Sequence, residues 1–243
     1  MTSDHLTAEK LLGFTWSCPD QLFQFDTPNQ ERALWRLKKL FPEIVFDVTL
    51  LEGNPFTFPQ VQTLLDGTTV GGQKISDADQ VLNQAASFKK LMTLCKSGNF
   101  EMIKKVACEL NALAAKGESL QEGIFRNGNV GIAGTQYQPP AADQLDAIFQ
   151  ELCKAQDLLN NSMERGIATF LSCAKNQFFW DGNKRTGRLL MNGILLMAGQ
   201  DIITVPARCR EEFHTNMIRF YQSNDASEMF CFMARQQISQ RFS

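Results

Sequence analysis

A chain of 243 residues, 44% hydrophobic and 21% charged, has the length for one globular domain with a small N-terminal extension and is neither disordered nor fibrous. Its formal charge of −2 supplies no general field for nucleic acid, and no uninterrupted apolar run reaches the length of a membrane span, so neither nucleic acid nor a membrane is expected as a partner. Seven cysteines without a close pair and only two histidines, His5 and His214, argue against a disulfide framework or a zinc ribbon, and leave any Ser-His-Asp chemistry to His214 alone.

The cysteines are therefore expected as buried thiols. The start, Met1-Thr2-Ser3-Asp4-His5, lacks the basic and apolar stretches of a secretory leader, so a cytoplasmic location is expected. Helical periodicity then governs most of the chain and predicts a mostly α fold. Residues 29–41 place Ala33, Leu34, Leu37 and Leu40 on one face, with Pro42 as the expected stop. Residues 43–53 are an apolar run that periodicity does not assign. Thr57-Phe58-Pro59 reads as a helix start leading through Val61, Leu64 and Leu65 to the breaks at Asp66-Gly67 and Gly71-Gly72. Further helices are predicted over 76–93 and over 100–116, the latter ending at Gly117.

From Glu118 to Pro140 the pattern changes to short alternating runs separated by turn residues, and Phe125 to Gly134 predicts a β-hairpin. After Pro139-Pro140, Leu145, Ile148, Phe149 and Leu152 mark the next helix. Residues 162–175 and 186–198 form two apolar helices, and amphipathic segments near 208–222 and 226–240 close the chain. Between the two apolar helices lies the most polar turn of the region, Asp181-Gly182-Asn183-Lys184-Arg185. A helix beginning directly after it presents unpaired N–H groups and the positive end of its dipole, which makes an anion site. Gly182 admits close backbone approach, Asn183 can donate or cap, Arg185 and Arg188 offer forked guanidinium geometry, and Asp181 could share Mg²⁺ with a phosphate. Such turns are also common as solvated helix caps.

The string Gln177-Phe178-Phe179-Trp180-Asp181-Gly182-Asn183-Lys184-Arg185-Thr186-Gly187-Arg188 resembles the signature of the Fic family: His, any residue, Phe, any residue, Asp or Glu, Gly-Asn-Gly-Arg and a later Arg. The likeness runs on through Leu189 to Asn192 and Ile203 to Pro206, and Gly123 to Gly134 is similar to the family's flap. The resemblance implies a Fic-type helical bundle with a small β-hairpin flap, with an N-terminal helical region over 1–75 and the core over 76–243. It implies transfer of AMP from ATP to a hydroxyl of a target protein, with Mg²⁺ on Asp181. Asn183 would meet the α-phosphate, and the backbone of Gly182 and Lys184 would line the anion hole. Arg185 and Arg188, with Gly187 between them, would take the β- and γ-phosphates. The flap, about 124–135 with Arg126, Val130 and Ile132, would hold the target protein by strand addition.

Two departures bear on mechanism. The family's general-base His is replaced by Gln177, and an amide has no usable pKa near neutrality; losing a positioned base costs roughly 10²–10⁴-fold in rate. Lys184 stands where Gly is usual, as in the related Doc branch, whose members resemble protein kinases. A Doc-like kinase, or a catalytically dead nucleotide- or peptide-binding protein, are thus alternatives to a weakened AMP transferase. Finally, Phe46 to Asn54 resembles the inhibitory helix of self-restrained Fic proteins, with Glu52, Gly53 and Asn54 at its end. Val48 fills the expected hydroxyl position and Thr49 lies one residue late. By this resemblance Glu52 pairs with Arg188 and competes with the γ-phosphate.

Overall fold

Two neighbouring helices that are buried on nearly every side decide the architecture, because such helices are stable only when others surround them. They are α8 (Ser162–Asn176) and α9 (Asn183–Met197), and almost every residue of both is buried. Small residues let them approach: a Cβ at Gly187 would stand 2.9 Å from Cys173 Cβ and 3.1 Å from the Phe170 carbonyl oxygen. The computed structural model describes residues 2–23 and 27–238.

Nine further α-helices of the described residues wrap this pair: α1 (Ser3–Leu12), α2 (Gln30–Lys39), α3 (Phe41–Leu51), α4 (Phe58–Leu65), α5 (Ile75–Lys96), α6 (Lys104–Ala114), α7 (Leu145–Leu158), α10 (Arg210–Ser223) and α11 (Ser227–Ala234). Helices α5 and α6 cover one side of α9, α7 packs on α1 and α8, and α11 packs on α8. A smaller apolar cluster of Val45, Phe56, Val61, Leu64, Val81 and Ala85 joins α3, α4 and α5. This seats the C-terminal end of α3 beside the start of α9. No helix of the described residues is long and apolar enough to cross a membrane.

The mostly helical class is as expected, and several details are corrected. Pro42 does not merely stop α2; it lies in the first turn of α3, where its missing N–H is no loss. The unassigned run 43–53 is therefore mainly helix. Thr57 does open α4, through a capping box with Gln60. The hairpin expected over 125–134 is absent: among the described residues no strand ladder forms, and the only β-bridges are the isolated Thr15 with Asp225 and Ile203 with Gln237. A two-stranded ribbon with neither a third strand nor a covering apolar face is marginal in water. The last helix ends at Ala234, and residues 239–240 of the segment predicted there lie outside the described residues. Of the cysteines only Cys95 and Cys173 are buried; the other five are half-buried, and Cys18 and Cys231 bring their sulfurs to 2.7 Å across 213 residues of chain.

Candidate active site

The link between α8 and α9 is a tight turn because both its ends are held. Gln177 caps α8 in the left-handed region (φ 49°), an unusual conformation for a residue with a side chain. Its amide holds it there: Nε2 donates to the Ala174 carbonyl at 2.7 Å, and Oε1 accepts from Asn183 Nδ2 at 2.9 Å. Asn183 closes the turn further, accepting from the Phe179 N–H and donating to the Phe179 carbonyl, each at 2.8 Å. From α6, Asn111 donates to the Asp181 carbonyl at 2.9 Å and to Thr186 Oγ1 at 3.1 Å, while accepting from the Gly123 N–H. Gly182, at φ 71°, directly precedes the first turn of α9, and no side chain of the described residues caps the helix. The N–H groups of its first turn are thus left for an external acceptor.

Around this helix start lie four charged side chains from the motif and one from far earlier in the chain. Arg188, 2% exposed, donates Nη1 to Glu52 Oε1 at 2.9 Å, and Lys184 Nζ stands 3.3 Å from Glu52 Oε2. Glu52 is thus in contact with both Arg188 and Lys184. Glu52 is the C-cap residue of α3, and Gly53 in the left-handed region (φ 86°) turns the chain directly after it. Burial alone would raise the Glu52 carboxyl, but Arg188, then Lys184 and Arg185, more than reverse this and hold it at about 2. The guanidinium of Arg188 is not saturated: its Nε and Nη2 are buried without a hydrogen-bond partner among the described residues. A buried cation with idle donors beside open helix N–H groups suits an anion with several oxygens.

Arg185, 3% exposed, donates Nη1 to the Ala114 carbonyl at 2.6 Å and to Glu118 Oε1 at 2.7 Å; Nη2 reaches Glu118 Oε2 at 3.2 Å and Asp181 Oδ1 at 3.3 Å. Burial works against its charge, yet Glu118, Glu52 and Asp181 raise its pKa. Asp181 is half exposed at 52% and also accepts from the Gly182 N–H. No cluster of three or more His, Cys, Asp or Glu occurs among the described residues. The exposed Asp181 carboxylate at this helix start has the chemistry to hold Mg²⁺, which takes one or two carboxylates and completes its shell with phosphate oxygens and water.

Other residues named from the sequence stand elsewhere or act differently. Gly187 faces α8 at the helix crossing, because two residues along a helix turn a position to another face. Asn183 is 4% exposed with its amide engaged by the turn, so what it offers an anion is its main-chain N–H. Gly182 is required by packing as well as by approach, since a Cβ there would stand 2.9 Å from Ala115 Cβ. Asn54 anchors the turn after Glu52, donating to the Asp77 carbonyl at 2.8 Å and to Gln80 Oε1 at 3.0 Å. Val130 and Ile132 are half-buried. Arg126 is not turned outward: 2% exposed, it donates to the carbonyls of Gln177, Gly128 and Pro140, each at 2.6 Å, and of Asn176 at 3.3 Å. It ties the segment 124–135 to the end of α8.

Sequence reasoning missed Asn111, Gln80 and Glu118, none of which falls in a motif. His214, which the sequence left as the one residue for Ser-His-Asp chemistry, is half-buried on α10, its pKa lowered by burial and then by Lys184.

Residues 100–195 match the model of the Fic/DOC family. The chain is 26% identical over 192 residues to the protein adenylyltransferase Fic of Drosophila willistoni, covering 75% of this chain and 37% of that relative. It is 23% identical over 183 residues to the protein of the same name from Aedes aegypti, covering 73% and 36%. The chain therefore spans a little over a third of the length of the curated relatives it matches. Among solved structures it shares the fold of a Fic family protein from Desulfovibrio desulfuricans G20, with a TM-score of 0.73 at 20% identity over 100% of this chain and 75% of that one. Fic-1 from C. elegans gives a TM-score of 0.72 at 19% identity over 98% and 70%.

Proposed function

We propose, since this chain belongs to the Fic/DOC family through residues 100–195, that it binds ATP at the start of α9 as a protein adenylyltransferase held off by Glu52 and weakened by Gln177. One observation carries the reading: a buried Arg188 whose hydrogen-bond partner among the described residues is a carboxylate from another part of the chain, and whose remaining donors are idle. The first-turn N–H groups of Asn183, Lys184 and Arg185 would receive the α-phosphate, while Arg185 and Arg188 would bind the β- and γ-phosphates. Asp181 would hold Mg²⁺, whose charge offsets that of the phosphates.

In AMP transfer the hydroxyl oxygen of the target forms a bond to the α-phosphorus, the bond to the β-phosphate oxygen breaks, and pyrophosphate leaves. The hydroxyl proton needs an acceptor. Gln177 offers none, since its amide oxygen is held by Asn183 and has no basicity near neutrality. Glu52 opposes the preceding step by occupying the guanidinium that the γ-phosphate needs. The target protein would dock along residues 124–135, whose main chain between Asn127 and Gln136 takes part in no ladder among the described residues and so can add a strand. Arg126 would position that segment rather than touch the target.

The engaged Gln177 amide favours a second reading, in which nucleotide binds and no group is transferred. Labelled ATP separates the two. Gln177→His combined with Glu52→Gly should carry α-phosphate label onto itself or a target, with either single variant at least about 10²-fold weaker. Label from the γ-phosphate instead would assign kinase chemistry, and ATP binding without either label would assign binding alone.

A further inference from the structure

Arg185 is held as Arg188 is, by a carboxylate, and the two carboxylates are connected. Glu118 lies in the turn after α6 and meets Arg185 with both oxygens, at 2.7 and 3.2 Å, in the forked geometry a phosphate would use. On α5, Gln80 donates Nε2 to Glu118 Oε2 at 2.9 Å and accepts through Oε1 from Asn54 Nδ2 at 3.0 Å. Asn54 belongs to the same turn as Glu52 and is itself fixed to the Asp77 carbonyl. One run of hydrogen bonds, Asn54 to Gln80 to Glu118 to Arg185, thus leads from the segment that occupies one arginine to the side chain that occupies the other.

Besides Asp181, which reaches Nη2 at 3.3 Å, Arg185 has two partners that differ in how easily they leave. The Ala114 carbonyl is part of α6 and stays. Glu118 is 26% exposed on a turn that Gly117 enters at φ 74°, so its carboxylate can rotate into water, where solvation replaces the contact. Resting on the reading of this site as a triphosphate cradle, we propose that Glu118 is a second resident competitor for phosphate, occupying Arg185 as Glu52 occupies Arg188, and that Gln80 couples the departure of the two. Full access for a triphosphate then requires both carboxylates to move, and whatever displaces the Glu52 turn also loosens Glu118.

A merely structural ion pair between α6 and α9 predicts the opposite sign, because its loss would loosen the cradle and weaken binding. Calorimetric titration of the full chain with ATP, ADP and AMP decides. Glu118→Gln, with Glu118→Ala as a second variant should the amide keep hold of Arg185, is expected to tighten ATP and ADP by about fivefold and leave AMP unchanged, since AMP has no phosphate that reaches Arg185. Glu52→Gly with Glu118→Gln should give a gain that departs from the product of the single gains by more than about threefold, and Gln80→Ala should return the pair to simple multiplication. ATP affinity that is unchanged or lowered in both Glu118 variants, or a change shared equally by AMP, overturns the proposal. If Glu52→Gly gains affinity and neither Glu118 variant does, only the second competitor is wrong. If no variant binds ATP at all, the cradle itself is wrong and the proposal falls with it.

Discussion

Arg126 and Arg188 are equally buried, at 2% exposure, yet they have opposite surroundings. Arg126 is surrounded by main-chain carbonyls that belong to the fold, and burial lowers its pKa. Arg188 is met by a single carboxylate on the end of α3 and keeps two donors idle. A guanidinium saturated by carbonyls is a clamp, whereas one held by a removable anion has the surroundings of a binding site. Burial alone would not have told them apart; the identity of the acceptors does.

Substitutions can break that contrast in order of expected effect. Arg126→Met should be the most damaging to stability, by about 4 kcal/mol, because it leaves several carbonyls without donors at the end of α8; urea unfolding reads this, and ATP should not restore it. Glu52→Gln should cost on the order of 3 kcal/mol by leaving a buried guanidinium uncompensated, and here ATP at about 100 times its Kd should recover most of the loss. The same pair has a pH signature. With the Glu52 carboxyl held at about 2 in the fold against 4.5 when unpaired, its contribution is complete above about pH 4.5 and is lost as the pH falls toward 2; Glu52→Gln should flatten that limb of the stability profile.

Lys175 supplies a smaller test at the other end of the scale. It is 8% exposed, donates to the Gly13 carbonyl and lies over the rings of Phe14 and Tyr137, and burial lowers its pKa to about 8 from 10.5. The unfolded chain therefore binds more protons between those values, so stability should rise with pH across that window. Lys175→Met should abolish the rise and add about 2 kcal/mol below pH 8, as read by thermal unfolding at several pH values.

Much of the site was legible because local pattern and chemistry coincide in it. The α8–α9 turn carries its glycine, its arginines and its acidic residue within a dozen positions, and the helix start follows from them. Pairing of Glu52 with Arg188 was reachable only through resemblance, since 136 residues separate them. Asn111, Gln80 and Glu118 were not legible: each is an ordinary polar residue on a helix or turn, and its role arises when α5 and α6 pack beside α9. The hairpin over 125–134 was misread because alternation and turn residues describe a strand's capacity to pair, and the described residues supply no neighbouring strand to support it. Helix α1 went unassigned, and the turn joining α2 to α3 at Pro42 was taken for an end because Pro stops one helix and starts another equally well.

The contrast between the two arginines is tested most directly by calorimetric ATP binding to the unmodified chain, to Glu52→Gly, and to Glu52→Gly with Arg188→Ala. Removing the carboxylate should tighten ATP by about tenfold or more, and removing the guanidinium as well should abolish that gain. Equal affinity in the unmodified chain and in Glu52→Gly, or a gain that survives the loss of Arg188, would contradict the account.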